Sequence, residues 1–325
     1  MTALVLSELR QRIRGKRWWI LLALWTLALT GLLWLVKRGT EAANSFDPEP
    51  IRVQAGTVMF GSLALFVLGL ACLVIPALTS TSINGERDRG TLAVLQSTLL
   101  KPRDIVMAKF VAAMLIALAF LGATFPLALW CTTEGDVDLG RMVAVYLILV
   151  LMCALMCLIG LTASTLIRKP SLSAVAAYGA VFVLTAGSPI IFALSLASAP
   201  QVGFEREVGW RWVILAPDPF VILADAAPRT TEDTFTFSDP LEGIRDAVRG
   251  ARRPPRPVDP ATGLPLDQDG VVVFENVFQE PEREPPALWP TGVLIDLAIA
   301  GLCAWACLHR LRIPARRLAV GERVA

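Results

Sequence analysis

Six long apolar stretches constrain this chain more than anything else in its sequence. They cover residues 18–36, 57–83, 110–133, 142–167, 172–199 and 289–308. The first five hold no charged residue, and the sixth holds one, Asp296. A helix that crosses a hydrocarbon core of roughly 30 Å needs about 20 apolar residues. Buried helices of a large soluble protein can look similar. Here the polar remainder of a 325-residue chain is too small to cover six of them. Hydrophobic residues make up 55% of the chain, above the share of a soluble domain. The expectation is an all-α membrane protein with six transmembrane helices.

The first stretch follows five basic residues: Arg10, Arg12, Arg14, Lys16 and Arg17. It is too long for the apolar region of a cleaved signal peptide, Lys37 and Arg38 follow it directly, and no small-residue cleavage site appears. It reads as a retained first span. Val5, Leu6, Leu9 and Ile13 before it fall on one helical face, which predicts an amphipathic helix on the membrane surface; the bland alternative is a ragged basic tail.

Basic residues set the orientation. The second loop carries Arg87, Arg89, Lys101, Arg103 and Lys109, the fourth carries Arg168 and Lys169, and the tail carries Arg310, Arg312, Arg316, Arg317 and Arg323. The short loops between hold fewer: Lys37, Arg38 and Arg52, then Arg141. The positive-inside rule places both termini and the richer loops in the cytoplasm, with the bacterial plasma membrane as the expected home. Three parts follow: residues 1–199 with spans one to five and a cytoplasmic segment at 84–109, a long external loop at 200–288, and the last span with its tail at 289–325. Within the loop, 210–226 resembles a seventh span, but Pro217-Asp218-Pro219 breaks it and puts a charge at its middle. It reads as an interfacial or re-entrant element, with Trp210 and Trp212 at headgroup level. Residues 239–253 read as a short amphipathic helix, 252–265 as extended Pro-rich chain, and 271–274 as a short strand.

Chemistry is harder to find. Net charge is +2, so no global field points to nucleic acid. Cys72, Cys131, Cys153, Cys157, Cys303 and Cys307 all lie in or beside apolar runs and form no CxxC. They read as small packing residues rather than metal ligands. One histidine, His309, cannot build a multi-histidine metal site. Without GxxxxGK[ST], HExxH or GxSxG, the chain reads as no enzyme, with no cofactor of its own.

The segment with most to say is 84–109, NGERDRGTLAVLQSTLLKPRDIVMAK. Glu86 and Asp88 suit a helix start through the dipole. Leu92, Leu95 and Leu99 make one apolar face, and Pro102 with Asp104 suits the first turn of the next helix. A charged, partly apolar helix tethered to spans at both ends can pass a push from a cytoplasmic protein into the bilayer. A solvated basic loop that only sets topology fits the composition equally well.

This segment resembles the GERERGTLE…LL…R-x-I-x₃-K pattern of ABC-type-2 transporter permeases. Gly85, Glu86, Arg87, Arg89, Gly90, Thr91, Leu92, Leu95, Arg103, Ile105 and Lys109 match as they stand, and Glu8-Leu9-Arg10…Arg14 is similar to that family's amphipathic first helix. The family's frequent proline after the first leucine-rich turn is Leu99 here, with Pro102 later. The resemblance covers most of the chain and is weakest over 200–288. It implies a permease subunit of an ATP-driven exporter, paired with a second permease chain, identical or not. Separate cytoplasmic ATPase subunits would carry ATP and Mg²⁺. Glu86, Arg87, Arg89, Gly90, Thr91, Leu92 and Leu95 would then form the coupling helix seated on the ATPase. A membrane scaffold that moves nothing, or a signal-transducing membrane subunit, stays open as the alternative.

Asp296 stands about seven residues, roughly 10 Å, into the last span. Three roles are open to it: a hydrogen bond inside the bundle, an interfacial position in a shifted helix, or contact with substrate or ion. Pro76, Pro126 and Pro189 are expected to kink their spans.

Overall fold

In a computed structural model the protein is described over residues 2–13, 15–46, 55–88, 102–135, 137–202, 205–206, 208–228, 239–252 and 285–311. Helix α1 (Thr2–Ile13) leads into α2 (Lys16–Phe46), and α3 (Ala55–Thr79) ends in a turn before the short α4 (Asn84–Asp88). The long α5 (Pro102–Thr133) and α6 (Leu139–Leu166) follow. The fifth span is broken: α7 (Pro170–Phe182) passes through a π turn (Val183–Gly187) into α8 (Ser188–Ala197). Two-residue strands (Gln201–Val202, Glu205–Arg206) pair antiparallel, then come a 3₁₀ turn (Gly209–Ile214), α9 (Pro219–Ala226), α10 (Pro240–Ala251) and α11 (Trp289–Leu311). Six helical stretches are long and apolar enough to cross a membrane, and they fall on the six apolar runs of the sequence. This is an all-α, multi-pass membrane protein.

Local chemistry explains the boundaries. Pro102 begins α5, where its missing N–H costs nothing, and Asp104 stands in the first turn. Asp138 caps α6, its carboxylate accepting from Gly140 N at 2.9 Å. Pro170 begins α7. Helix α2 runs ten residues past the apolar stretch that ends at Val36. Hydropathy stops at Lys37, but Glu41, Ala42 and Ala43 are good helix formers, and Arg38 meets Glu41 at 3.4 Å one turn on.

The helices form an inner and an outer set. More than half of the most apolar window of α3 and of α5 is buried (56% each) and half of α6 (50%), against 17% for α2, for α7–α8 and for α11. The inner three supply the centre of the core, including Phe60, Leu63, Leu68, Ile116, Met152 and Met156, and α2 adds Leu29 and Leu33. Helix-helix packing in lipid relies on close approach rather than on escape from water. The α3–α6 seam has that closeness: a Cβ on Gly160 would collide with the Thr79 side chain. Trp18 and Trp25 both pack on Phe120, with ring centroids 5.1 and 5.0 Å apart. Leu9 and Ile13 turn the apolar face of α1 onto this core, while Leu6 of the same predicted face is exposed. The six cysteines are unpaired thiols, five of them buried.

Candidate functional site

The turn between α3 and α4 is fixed by the ends of two other spans. Ile83 N and Asn84 N both donate to Ser164 Oγ of α6, at 2.9 and 3.2 Å. Asn84 Nδ2 donates to Ile167 O at 3.3 Å, and Ser173 Oγ of α7 donates to Ser80 O at 2.6 Å. Backbone groups that leave a helix inside an apolar bundle need partners, and side chains of α6 and α7 provide them. The start of α4 is therefore held in place.

One turn on, Glu86 reaches inward. Its Oε1 accepts from Lys109 Nζ at 2.5 Å, and the same ammonium donates to Glu8 Oε1 at 2.8 Å. Lys109 is only 3% exposed. Isolated, it would be expensive to bury; between two carboxylates it is a charge-assisted brace. The brace joins α1, α4 and α5 at one point. Of the residues matched to the coupling helix, Glu86 is thus occupied within the chain, and Arg87 is half-buried in α4. Arg89, Gly90, Thr91, Leu92 and Leu95 lie outside the described residues, as does the expected strand at 271–274. Arg103 is exposed on the first turn of α5, and Ile105 is buried. Sequence reading marked Glu8 and Lys109 only as matches to a pattern and missed that they meet Glu86. Nothing in their spacing brings residues 101 positions apart together.

At the opposite end of the bundle, residues 208–228 and 239–252 pack on the spans. Asp218 caps α9, its Oδ1 accepting from Phe220 N at 2.8 Å and Val221 N at 3.4 Å. The expected break at Pro217-Asp218-Pro219 therefore falls between the 3₁₀ turn and α9. The element packs against α3. Phe220 lies 3.9 Å from where a Cβ of Gly69 would stand, 14 residues or roughly 20 Å along α3. A Cβ on Gly292 of α11 would overlap the Ala216 carbonyl and the Ile222 side chain, so the α11 backbone lies directly against this element. Asp225 ties the start of α11 to α9, accepting from Leu288 N at 2.5 Å, Trp289 N at 2.9 Å and Arg249 Nε at 2.8 Å.

Helix α10 is the amphipathic helix expected at 239–253, with Asp239 as its N-cap. Asp239 also pairs with Arg141, which is 1% exposed. Arg141 donates further to Pro228 O at 2.8 Å and Glu242 Oε1 at 3.2 Å. Gly61 of α3 makes room for this cluster, since a Cβ there would strike the Asp239 carboxylate.

Asp296 differs from all of these. It is 2% exposed, and neither carboxylate oxygen has a hydrogen-bond partner among the described residues. The charged group within electrostatic reach of it is Asp218.

A family model described as "ABC-2 family transporter protein" matches residues 2–241, more than half of the chain. No curated protein matches. The chain belongs to the ABC-2 family of transporter proteins. It is therefore a permease subunit of an ABC transporter, a membrane subunit of a kind that is not itself catalytic and that generally works with ABC ATPase partners.

Proposed function

We propose that this ABC-2 family chain forms the pathway of an ATP-driven exporter as one of a pair of permease chains, with separate ATPase subunits docked at 84–109. Arg87, Arg89, Gly90, Thr91, Leu92 and Leu95 make the docking surface, and ATP with Mg²⁺ stays on the ATPase. The observation that carries the reading is the Lys109 brace. A push on the coupling segment has to reach the spans, and Glu86 provides the connection: through Lys109 it is bonded to the base of α5 and to α1. The pinned start of α4 makes that connection stiff on the α6 and α7 side as well. Two packed arrangements of these helices, biased by ATPase closure, would alternate access to the pathway. The basic residues of the coupling segment and of both termini support a cytoplasmic face in a bacterial plasma membrane.

The experiment is reconstitution with the ATPase encoded beside this chain. The parent complex should couple ATP hydrolysis to export from vesicles. Glu86→Ala should leave hydrolysis running while export falls, because the contact surface survives and the link to α5 does not. Equal export by parent and Glu86→Ala complexes would remove the brace from the mechanism. Stoichiometric ATP binding by the isolated chain would remove the division of labour.

A further inference from the structure

Two contacts set α9 against α11 in register. At the outer end, Asp225 accepts from Leu288 N and Trp289 N. One turn inward on each helix, a Cβ on Gly292 would overlap the Ile222 side chain. One turn further on the same faces stand Asp218, the N-cap of α9, and Asp296 of α11. The seam thus runs antiparallel and ends inside the bundle on two acids, which lie within electrostatic reach of each other. The two are not alike. Asp218 Oδ1 accepts from Phe220 N and Val221 N, and Oδ2 accepts from the Ser188 hydroxyl at 3.0 Å. Three donors stabilise its carboxylate form. Asp296 is 2% exposed, and neither of its oxygens has a hydrogen-bond partner among the described residues.

The basic side chains of neighbouring helices are engaged with other acceptors. Arg245 of α10 donates to Ala224 O and Ala227 O, Arg249 of α10 to Asp225, and Arg141 of α6 to Pro228 O and to Asp239 and Glu242. What the seam lacks is a cation, and its lining limits the class. Hard inorganic cations such as Ca²⁺ and Mg²⁺ take about six or more oxygen ligands. Among the described residues no group of three or more metal-ligating side chains exists. The side chains packed along the seam are apolar: Leu215, Val221, Ile222 and Ile295. Acceptors without donors beside an apolar wall match an ion that carries its own N–H donors and an apolar body.

We propose that Asp296, backed by the charge of Asp218, is a binding site for an organic ammonium ion, which donates N–H hydrogen bonds to the two unpartnered Asp296 oxygens and lays its apolar part along the α9–α11 seam. A lone buried carboxylate is costly, and the ion removes that cost with charge-assisted hydrogen bonds. The site is occluded as it stands, so the ion enters when α9 and α11 part. As a class of cargo, organic ammonium ions rest on the exporter reading above; binding itself does not.

Binding of radiolabelled phenethylammonium to the purified full chain in zwitterionic lipid nanodiscs, without ATPase, tests this. The parent should bind it saturably. Excess unlabelled amine should compete, and phenethyl alcohol, which lacks the charge, should not. Sodium at the amine's own concentration should not compete either. Asp296→Asn keeps the shape and should weaken binding roughly 10- to 100-fold, the worth of a hydrogen bond to a charged group. Asp246→Asn, at an exposed acid on α10, should bind as the parent does. Thermal unfolding checks that Asp296→Asn folds; if it does not, the competition series on the parent decides. Absence of saturable binding by the parent overturns the proposal. So does equal competition by the alcohol, competition by sodium, or unchanged affinity in a folded Asp296→Asn. None of these outcomes touches the exporter reading, since no ATPase is present. Binding by the chain with no export by the reconstituted complex would keep the site and count against that reading instead.

Discussion

Lys109 and Asp296 are both ionisable side chains sealed inside an apolar bundle, and the two ends of the molecule treat them oppositely. Lys109 has a carboxylate on each side, from α1 and α4. Asp296 meets no hydrogen-bond donor among the described residues, and a charge within its reach is a second acid. A buried charge with its partners in place is a brace: removing one partner strands the others. A buried acid that meets no donor among the described residues makes no such brace. The comparison separates a mechanical end of the protein from a titratable one.

The largest effect should come from breaking the brace. Lys109→Met leaves two partly buried carboxylates facing each other and should cost about 3 kcal/mol, the low end of the penalty for breaking a buried ion pair. Thermal unfolding of the detergent-purified chain measures it. Adding Glu8→Gln and Glu86→Gln to the same chain should recover much of the loss. If the triple variant is no more stable than Lys109→Met, the damage is packing and not charge. Asp225→Ala comes next. It leaves the buried amide of Leu288 without its acceptor, at about 1–3 kcal/mol, and takes one acceptor from Trp289 N and Arg249 Nε nearer the surface. Proteolysis of the 200–288 loop should accelerate in that variant and not in Lys109→Met.

Asp218 sharpens the contrast at smaller cost. Asp218→Ala should lose a cap, about 0.5–2 kcal/mol, whereas Asp218→Asn should lose little. The sign with pH is fixed. Its folded pKa is raised from 3.8 to about 6, so between those values the folded state holds more protons than the unfolded one. Stability should fall as pH rises through that window, and Asp218→Asn should flatten this part of the profile. The Lys37–Glu134 pair, 2.5 Å apart and open to solvent on one side, should matter least. The Lys37 hydrogen bond holds Glu134 below its usual range, so what the pair contributes is present above that range and fades as pH drops through it. Lys37→Ala should leave the melting temperature unchanged within error, and a shift as large as that of Asp225→Ala would mean the pair is not solvent-screened.

Much of the architecture was legible because lipid enforces it. Six apolar runs became six spans, Pro102 began α5, and Asp239 capped the expected amphipathic helix. The extension of α2 was hidden because hydropathy ends at Lys37 while helix propensity does not. The π turn was hidden because Pro189 announces a disturbance without saying which hydrogen-bond pattern replaces the α one. The site was less legible than the fold. Glu86 stood out from its pattern, but its partner did not, since an ion pair between helices depends on packing that no local periodicity encodes. Asp296 was visible as the single charge in a span; its lack of donors was not.

The central claim is that an ATPase docks on the segment leaving α4 and that Glu86 ties this segment to α5. Photo-crosslinking tests it directly. A photoreactive residue is placed at Leu92 or Leu95 in the assembled complex, with Ser198 at the other end of the bundle as the control. The account predicts a covalent adduct with the ATPase from positions 92 and 95 and none from 198. It also predicts that Glu86→Ala leaves the adduct intact while export is lost. Absence of an adduct at both 92 and 95 in a complex that still exports would contradict it.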